Sequence, residues 1–296
     1  MRVVIAGASG FLGTHLSDHL RVHGHEVTAL VRREPTSSRE SRWDPSTGAV
    51  DAALVGRADA VVNLAGASIA GNPHSKKWST EVLESRVSTT RVLAEAIAAS
   101  ERPPAFLAGN GIAWYGDHGE APVTEESDSR GSAFLTRVSR EWEAAAAAAH
   151  DAGARVCVLR TSPVMDRTSP PLKQLRLLFQ AGGGAKLGSG EQRMPMISLR
   201  DWIGAVSYLI ESRDVSGAFN LCCPRTPTNA EFTHALAKAL HRKAFFAVPA
   251  PILKHAAGDL APELLGSVNA RPAALERAGY DFEDEDVRTV LAAALA

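Results

Sequence analysis

The opening stretch MRVVIAGASGFLG constrains this chain more than any other part of it. Arg2-Val3-Val4-Ile5-Ala6 is a short β-branched apolar run without alternation, the pattern of a strand buried on both faces of a parallel sheet. Gly7, Gly10 and Gly13 follow at once with the spacing G-x-x-G-x-x-G, and Phe11, Leu12, Leu16 and Leu20 then recur at helical spacing. In a strand–glycine–helix unit of this kind the first glycine permits a tight turn. The second lets a pyrophosphate approach the backbone, and the third lets helix and strand pack closely. The free N–H groups and dipole at the helix start favour the anion. Gly7, Ser9, Gly10, Phe11, Leu12 and Gly13 are therefore the expected dinucleotide contacts; the competing reading is a tight turn with no ligand.

The second strand is expected over Glu26–Val31, and Arg32 and Arg33 stand at its end. A carboxylate at that position holds the ribose 2′-hydroxyl of NAD, whereas an arginine clamps a 2′-phosphate. NADP (NADPH) is expected over NAD, with Ser37, Ser38 and Arg39 in reach; the alternative is a pair of solvated arginines. Trp43-Asp44-Pro45 closes a third short strand, where Asp44 reads either as an acceptor for the adenine amino group or as a turn residue. Ala58–Leu64 is a further buried strand, and the small Ala65 and Gly66 after Leu64 let the backbone pass beside a cofactor. A helix over 80–99 carries Val82, Arg86, Val87, Thr90, Leu93, Ala94 and Ile97 on one face. Strands alternating with helices give an α/β fold with a doubly wound parallel sheet.

Length allows one large or two unequal domains in 296 residues, and a net charge of −1 argues against a general nucleic-acid binder. No apolar run is long enough for a bilayer and no signal peptide precedes the first strand, so a soluble, cytoplasmic protein without a membrane partner is expected. Cys157, Cys222 and Cys223 have neither metal-ligand nor disulfide spacing and read as small buried residues.

The chain resembles the short-chain dehydrogenase/reductase superfamily, in the extended group of nucleotide-sugar epimerases and dehydratases, and within it the atypical "epimerase family protein" branch. The residues that carry the resemblance are Gly7–Gly13, Asn63-Leu-Ala-Gly66, Lys77-Trp-Ser79, Ser85-Arg-Val-Ser-Thr-Thr90, Trp114-Tyr-Gly-Asp117, Leu187-Gly-Ser-Gly190 and Thr228-Asn-Ala-Glu-Phe232. The resemblance implies a Rossmann-like sheet with a smaller C-terminal substrate lobe. The expected division is a nucleotide-binding domain over residues 1–165 and 199–225, and a lobe over residues 166–198 and 226–296.

The same resemblance implies a serine or threonine after the fifth strand and a Tyr-x-x-x-Lys on the next helix, where the tyrosine exchanges a proton with substrate. Here Asn110 takes the first position, and Leu135 and Ser139 fall where the tyrosine and lysine belong. An amide orients an oxygen but is no acid. Tyr115 is the candidate replacement acid or base; its competing reading is an aromatic pocket wall. Lys76, in the loop after Gly66, Trp114 and Arg193 are candidate substrate contacts, and Gly182–Gly190 reads either as a phosphate-accommodating loop or as an ordinary connection.

Further helices are expected over 170–180, with Leu172, Leu175, Leu178 and Phe179 inward, after Ser198 and after Thr228, the last two opened by capping boxes. The function expected is an NADP-binding oxidoreductase or epimerase-like protein, monomer or homodimer, acting on a small polar carbonyl or hydroxyl substrate such as a nucleotide-sugar. The rival is a non-catalytic NADP-binding regulator that has lost the relay.

Overall fold

The computed structural model describes all residues, Met1–Ala296. In chain order the elements begin β1 (Arg2–Ala6), α1 (Phe11–Val22), β2 (Glu26–Val31), β3 (Glu40–Arg42), α2 (Ala52–Arg57), β4 (Ala60–Asn63), α3 (Lys76–Ala98) and β5 (Ala105–Gly111). Next come β6 (Pro122–Val123), α4 (Phe134–Ala144), α5 (Ala147–Asp151), β7 (Val156–Thr161), β8 (Val164–Met165), α6 (Pro170–Gln180), β9 (Ala185–Leu187) and β10 (Ile197–Ser198). The chain ends with α7 (Leu199–Glu211), β11 (Gly217–Leu221), α8 (Asn229–Ala239), β12 (Phe246–Val248), α9 (Ala250–Ala257), α10 (Ala261–Leu265), β13 (Asn269–Ala270), α11 (Ala273–Ala278) and α12 (Val287–Leu295).

Seven strands form one sheet in the order β11-β7-β5-β4-β1-β2-β3, with β5 to β3 paired in parallel. The expected doubly wound α/β sheet is therefore present. From β1 the chain builds outward through β2 and β3, then returns to β1's other side with β4. The carboxyl ends of β1 and β4 thus flank the point where strand order reverses, which is where open α/β sheets leave a crevice for ligands.

Two compact units interleave along the chain: residues 1–110, 140–159 and 206–218 form the first, and 111–139, 160–205 and 219–296 the second. The first unit's core joins Val4, Ala6, Leu30, Val61, Leu93, Ile97 and Phe106 around the sheet. In the second, Leu172, Phe179, Met196, Phe232, Leu236 and Leu291 make one cluster, and Tyr115, Val123, Cys222 and Ala270 another. No helix is long and apolar enough to cross a membrane.

Several local expectations need correction. Helix α3 starts at Lys76 rather than residue 80, because Ser75 Oγ accepts the Trp78 N–H at 3.4 Å and buried Trp78 extends the apolar stripe by a turn. Lys76 and Lys77 are thus helical, not in a loop. On α6, Leu172 and Phe179 are buried as expected, but Leu178 is half exposed. The segment Gly182–Gly190 contains β9, which pairs in parallel with β12, a strand the proline-punctuated C-terminal stretch conceals. The Thr228–Glu231 capping box is present in full.

Candidate functional site

The turn after β1 assigns a separate duty to each glycine. Gly7 has a φ of +82°, and a Cβ there would lie 2.6 Å from the Leu64 carbonyl carbon and 2.8 Å from the Ala65 nitrogen. A Cβ on Gly13 would lie 2.2 Å from the Gly7 oxygen. These two positions are fixed by the protein's own backbone. Gly10 differs: its Cβ would meet only the Gly7 oxygen, at 3.3 Å, and the residue is exposed. Gly10 is also the N-cap of α1, its φ and ψ being extended, and no side chain caps the helix. The first-turn N–H groups therefore have no side-chain cap. Ser9 is exposed, and Phe11 and Leu12 are half-buried beside it.

Facing this turn is the Asn63–Ala67 segment, and α3 pins it. Asn63, fully buried, donates through Nδ2 to Thr90 Oγ1 at 2.8 Å and accepts the Ala65 N–H at 3.1 Å. Ser85 Oγ accepts the Ala67 N–H at 2.9 Å, and Arg86 Nη1 donates to the Ala67 carbonyl at 3.1 Å. Leu64 and Ala65 are thereby held against Gly7, with Gly66 following over the Arg86 side chain.

The two arginines after β2 are not equivalent. Arg33 is locked in a bidentate pair with Glu40, at 2.6 and 2.9 Å, which holds the Glu40 carboxyl down at about 2. Arg32 is exposed, and no hydrogen bond or ion pair engages its guanidinium. Asp44 Oδ1 accepts both the N–H and the hydroxyl of Ser46, at 2.9 and 2.6 Å, within a bridge to Ala49. Its turn duty is built, and those bonds lower its carboxyl further.

At the end of β5, buried Asn110 donates through Nδ2 to Glu143 Oε2 at 2.9 Å. In the second unit Tyr115 is fully buried, donating its hydroxyl to Asn220 Oδ1 at 2.8 Å and accepting from Arg160 Nη1 at 2.9 Å. Burial pushes the phenol up to about 12, against the opposing charge of Arg160. The Arg160 guanidinium lies 3.5 Å from the centroid of the Trp114 ring, a cation–π stack. Arg193 meets Glu120 at 3.1 Å and the Thr226 carbonyl at 3.2 Å. Lys76 is exposed at the first position of α3, whose first turn contains no acid.

The sequence profile described as "NAD dependent epimerase/dehydratase family" matches residues 3–222, and one described as "Domain of unknown function (DUF1731)" matches residues 248–294. The epimerase family protein Mb2239 of Mycobacterium bovis is 38% identical over 98% of this chain and 96% of its own length. The chain belongs to the NAD-dependent epimerase/dehydratase family. Within it, the crystal structure of the human epimerase family protein SDR39U1 with NADPH superposes with a TM-score of 0.89 at 32% identity, covering 99% of each chain. A nucleoside-diphosphate sugar epimerase from Corynebacterium glutamicum gives a TM-score of 0.81 at 33% identity, covering all of this chain and 58% of that one.

Three residues of this family member drew little notice in the sequence. Arg86 sits in an apolar stripe, and a charge on a core face was the available signal. Arg160 is the penultimate residue of β7, after buried Val, Cys and Leu, a similar misfit. Nothing in the sequence linked Asn220 to Tyr115, 105 positions away.

Proposed function

We propose that this chain binds NADPH at the glycine turn of its first unit and acts as an oxidoreductase on the carbonyl or hydroxyl of a small polar substrate. The observation that carries the reading is Gly10. Protein packing explains the missing side chains at Gly7 and Gly13, but at exposed Gly10 a Cβ would meet a single protein atom, the Gly7 oxygen at 3.3 Å, beside helix N–H groups that no side chain caps. A pyrophosphate fits both features. The unengaged Arg32 supplies a fork for the 2′-phosphate, and the human relative solved with NADPH supports the same cofactor.

Bound NADPH supplies a hydride. The chain's own part is to seat the pyrophosphate on the α1 start, line the cofactor with Leu64, Ala65 and Gly66, and hold the 2′-phosphate through Arg32. Asn110, fixed by Glu143, orients rather than donates protons. Tyr115 is a positioning residue in this reading: its hydroxyl is committed to Asn220 and Arg160 and keeps its proton at neutral pH. Nucleotide-sugars are the substrate class to try first, which the likeness to the Corynebacterium nucleoside-diphosphate sugar epimerase supports.

A second reading, an NADPH-binding regulator without turnover, is favoured by one observation: Leu135 and Ser139 replace the proton-relay pair on α4. Following NADPH absorbance with a panel of keto-sugar nucleotides and simple carbonyls separates the two. Substrate-dependent loss of absorbance is expected for the enzyme. Tight binding with no turnover across the panel assigns the chain to the second reading, and no NADPH binding at all removes both.

A further inference from the structure

Arg86 is the one charged side chain on the buried face of α3, and only 8% of it is exposed. Its Nη1 donates to two neutral acceptors, the Val82 carbonyl at 2.9 Å and the Ala67 carbonyl at 3.1 Å. The Trp142 ring lies over it with the guanidinium carbon 5.1 Å from the centroid. No carboxylate pairs with it, and burial alone pulls its pKa down to about 10. A buried cation without a counterion is costly, and proteins hold such charges where a partner is present.

The place of the charge says which partner. A Cβ added to Gly66 would stand 3.3–3.4 Å from the Arg86 side chain, yet Gly66 itself is exposed. One layer of backbone therefore separates the guanidinium from the surface. That same layer, at Leu64 and Ala65, is what a Cβ on Gly7 would strike at 2.6–2.8 Å. Arg86 thus stands directly behind the strip that closes the glycine turn, on the side away from solvent, where the local dielectric lets a fixed charge act at a distance.

We infer that Arg86 is the buried countercharge for the pyrophosphate of the bound dinucleotide, acting through the Ala65–Gly66 backbone rather than by touching the phosphate. The inference rests on the cofactor reading above. It separates two electrostatic duties: Arg32 serves the 2′-phosphate alone, whereas Arg86 serves the charge that NADPH, NADH and ADP-ribose share. Because Arg86 does not touch the ligand it is a positioning and field residue, and a lysine that keeps the charge should serve almost as well.

The test titrates all three ligands into the intact wild-type chain, Arg86→Gln and Arg86→Lys by calorimetry, with thermal melting of each variant as the fold control. Arg86→Gln is expected to weaken NADPH, NADH and ADP-ribose by a common factor of about ten, and Arg86→Lys to stay within about threefold of wild type. Unchanged affinities in a folded Arg86→Gln chain overturn the inference, since neither the charge nor its bonds to the Ala67 and Val82 carbonyls then bear on binding. A loss confined to NADPH overturns it too. If Arg86→Gln does not fold, Arg86→Lys carries the test alone: a lysine cannot keep both carbonyl bonds, so lost affinity there means a clamp and retained affinity means a countercharge. A wild-type chain that binds none of the three refutes the cofactor reading itself, which is a different result from a wild type that binds and an Arg86→Gln chain that binds equally.

Discussion

Strands β1 and β5 are continued in opposite ways. After β1 the chain leaves its polar groups unspent: Gly10 is exposed and the α1 start has no side-chain cap, and after the neighbouring β2 Arg32 is unengaged. After β5 the polar groups are consumed: Asn110 donates to Glu143, and Tyr115 is enclosed between Asn220 and Arg160. Unspent backbone donors are the mark of a place that waits for a ligand. A saturated buried cluster is the mark of a place that holds shape, because opening it leaves desolvated groups unpaired. On the proposed reading, this difference in local bonding separates cofactor binding at the glycine turn from a positioning role around Tyr115.

The largest expected effect breaks the first half of the comparison. Gly10→Val puts an isopropyl group where the pyrophosphate would approach and should reduce NADPH affinity by a hundredfold or more, on the order of 3 kcal/mol. Its melting temperature should change little, because only the Gly7 oxygen lies near that Cβ. Gly13→Ala should do the reverse, lowering stability first, since its Cβ would meet the Gly7 oxygen at 2.2 Å. Calorimetry and thermal melts on the two proteins give the contrast, and normal NADPH binding by a folded Gly10→Val chain would move the cofactor elsewhere.

Tyr115→Phe probes the second half. Losing the hydroxyl leaves buried Asn220 and Arg160 each short of a partner, which should cost about 1–3 kcal/mol of stability. NADPH affinity should stay within about twofold. A Tyr115→Phe chain as stable as wild type, with turnover lowered by ~10² or more, would restore the tyrosine to proton transfer.

The smallest effect concerns the pair after β2. Glu40→Gln releases Arg33 from its bidentate partner, so a second guanidinium becomes available to a 2′-phosphate. NADPH affinity should rise by roughly two- to fivefold while NADH affinity holds, as a weak exposed contact would give. A fall in NADPH affinity would mean that Glu40 organises the loop instead.

The parts of this molecule that were legible in sequence are those set by local pattern. Arg2–Ala6 and Gly7–Gly13 announce a buried strand and a phosphate-type turn because apolar runs and glycines at fixed offsets have few other uses. The Thr228 capping box is legible for the same reason. What stayed hidden depends on distant partners. Arg33 and Arg32 read alike until Glu40, seven positions on, is seen to take one of them. Tyr115 looked available because its partners, Asn220 and Arg160, lie far along the chain. Strands β12 and β13, three and two residues long, exist through pairing with β9 and β6, and so short a run leaves no periodicity to detect.

On the proposed reading, the glycine turn and the unengaged Arg32 together hold NADPH. The direct measurement is the ratio of NADH to NADPH dissociation constants in wild type, Arg32→Ala and Arg33→Ala. A charged hydrogen bond to phosphate contributes about 1.5–3 kcal/mol, so a wild-type ratio of about ten or more is expected. It should collapse toward one in Arg32→Ala and stay near wild type in Arg33→Ala, whose guanidinium already belongs to Glu40. Equal affinities in wild type, or a preference that survives Arg32→Ala, would contradict the claim.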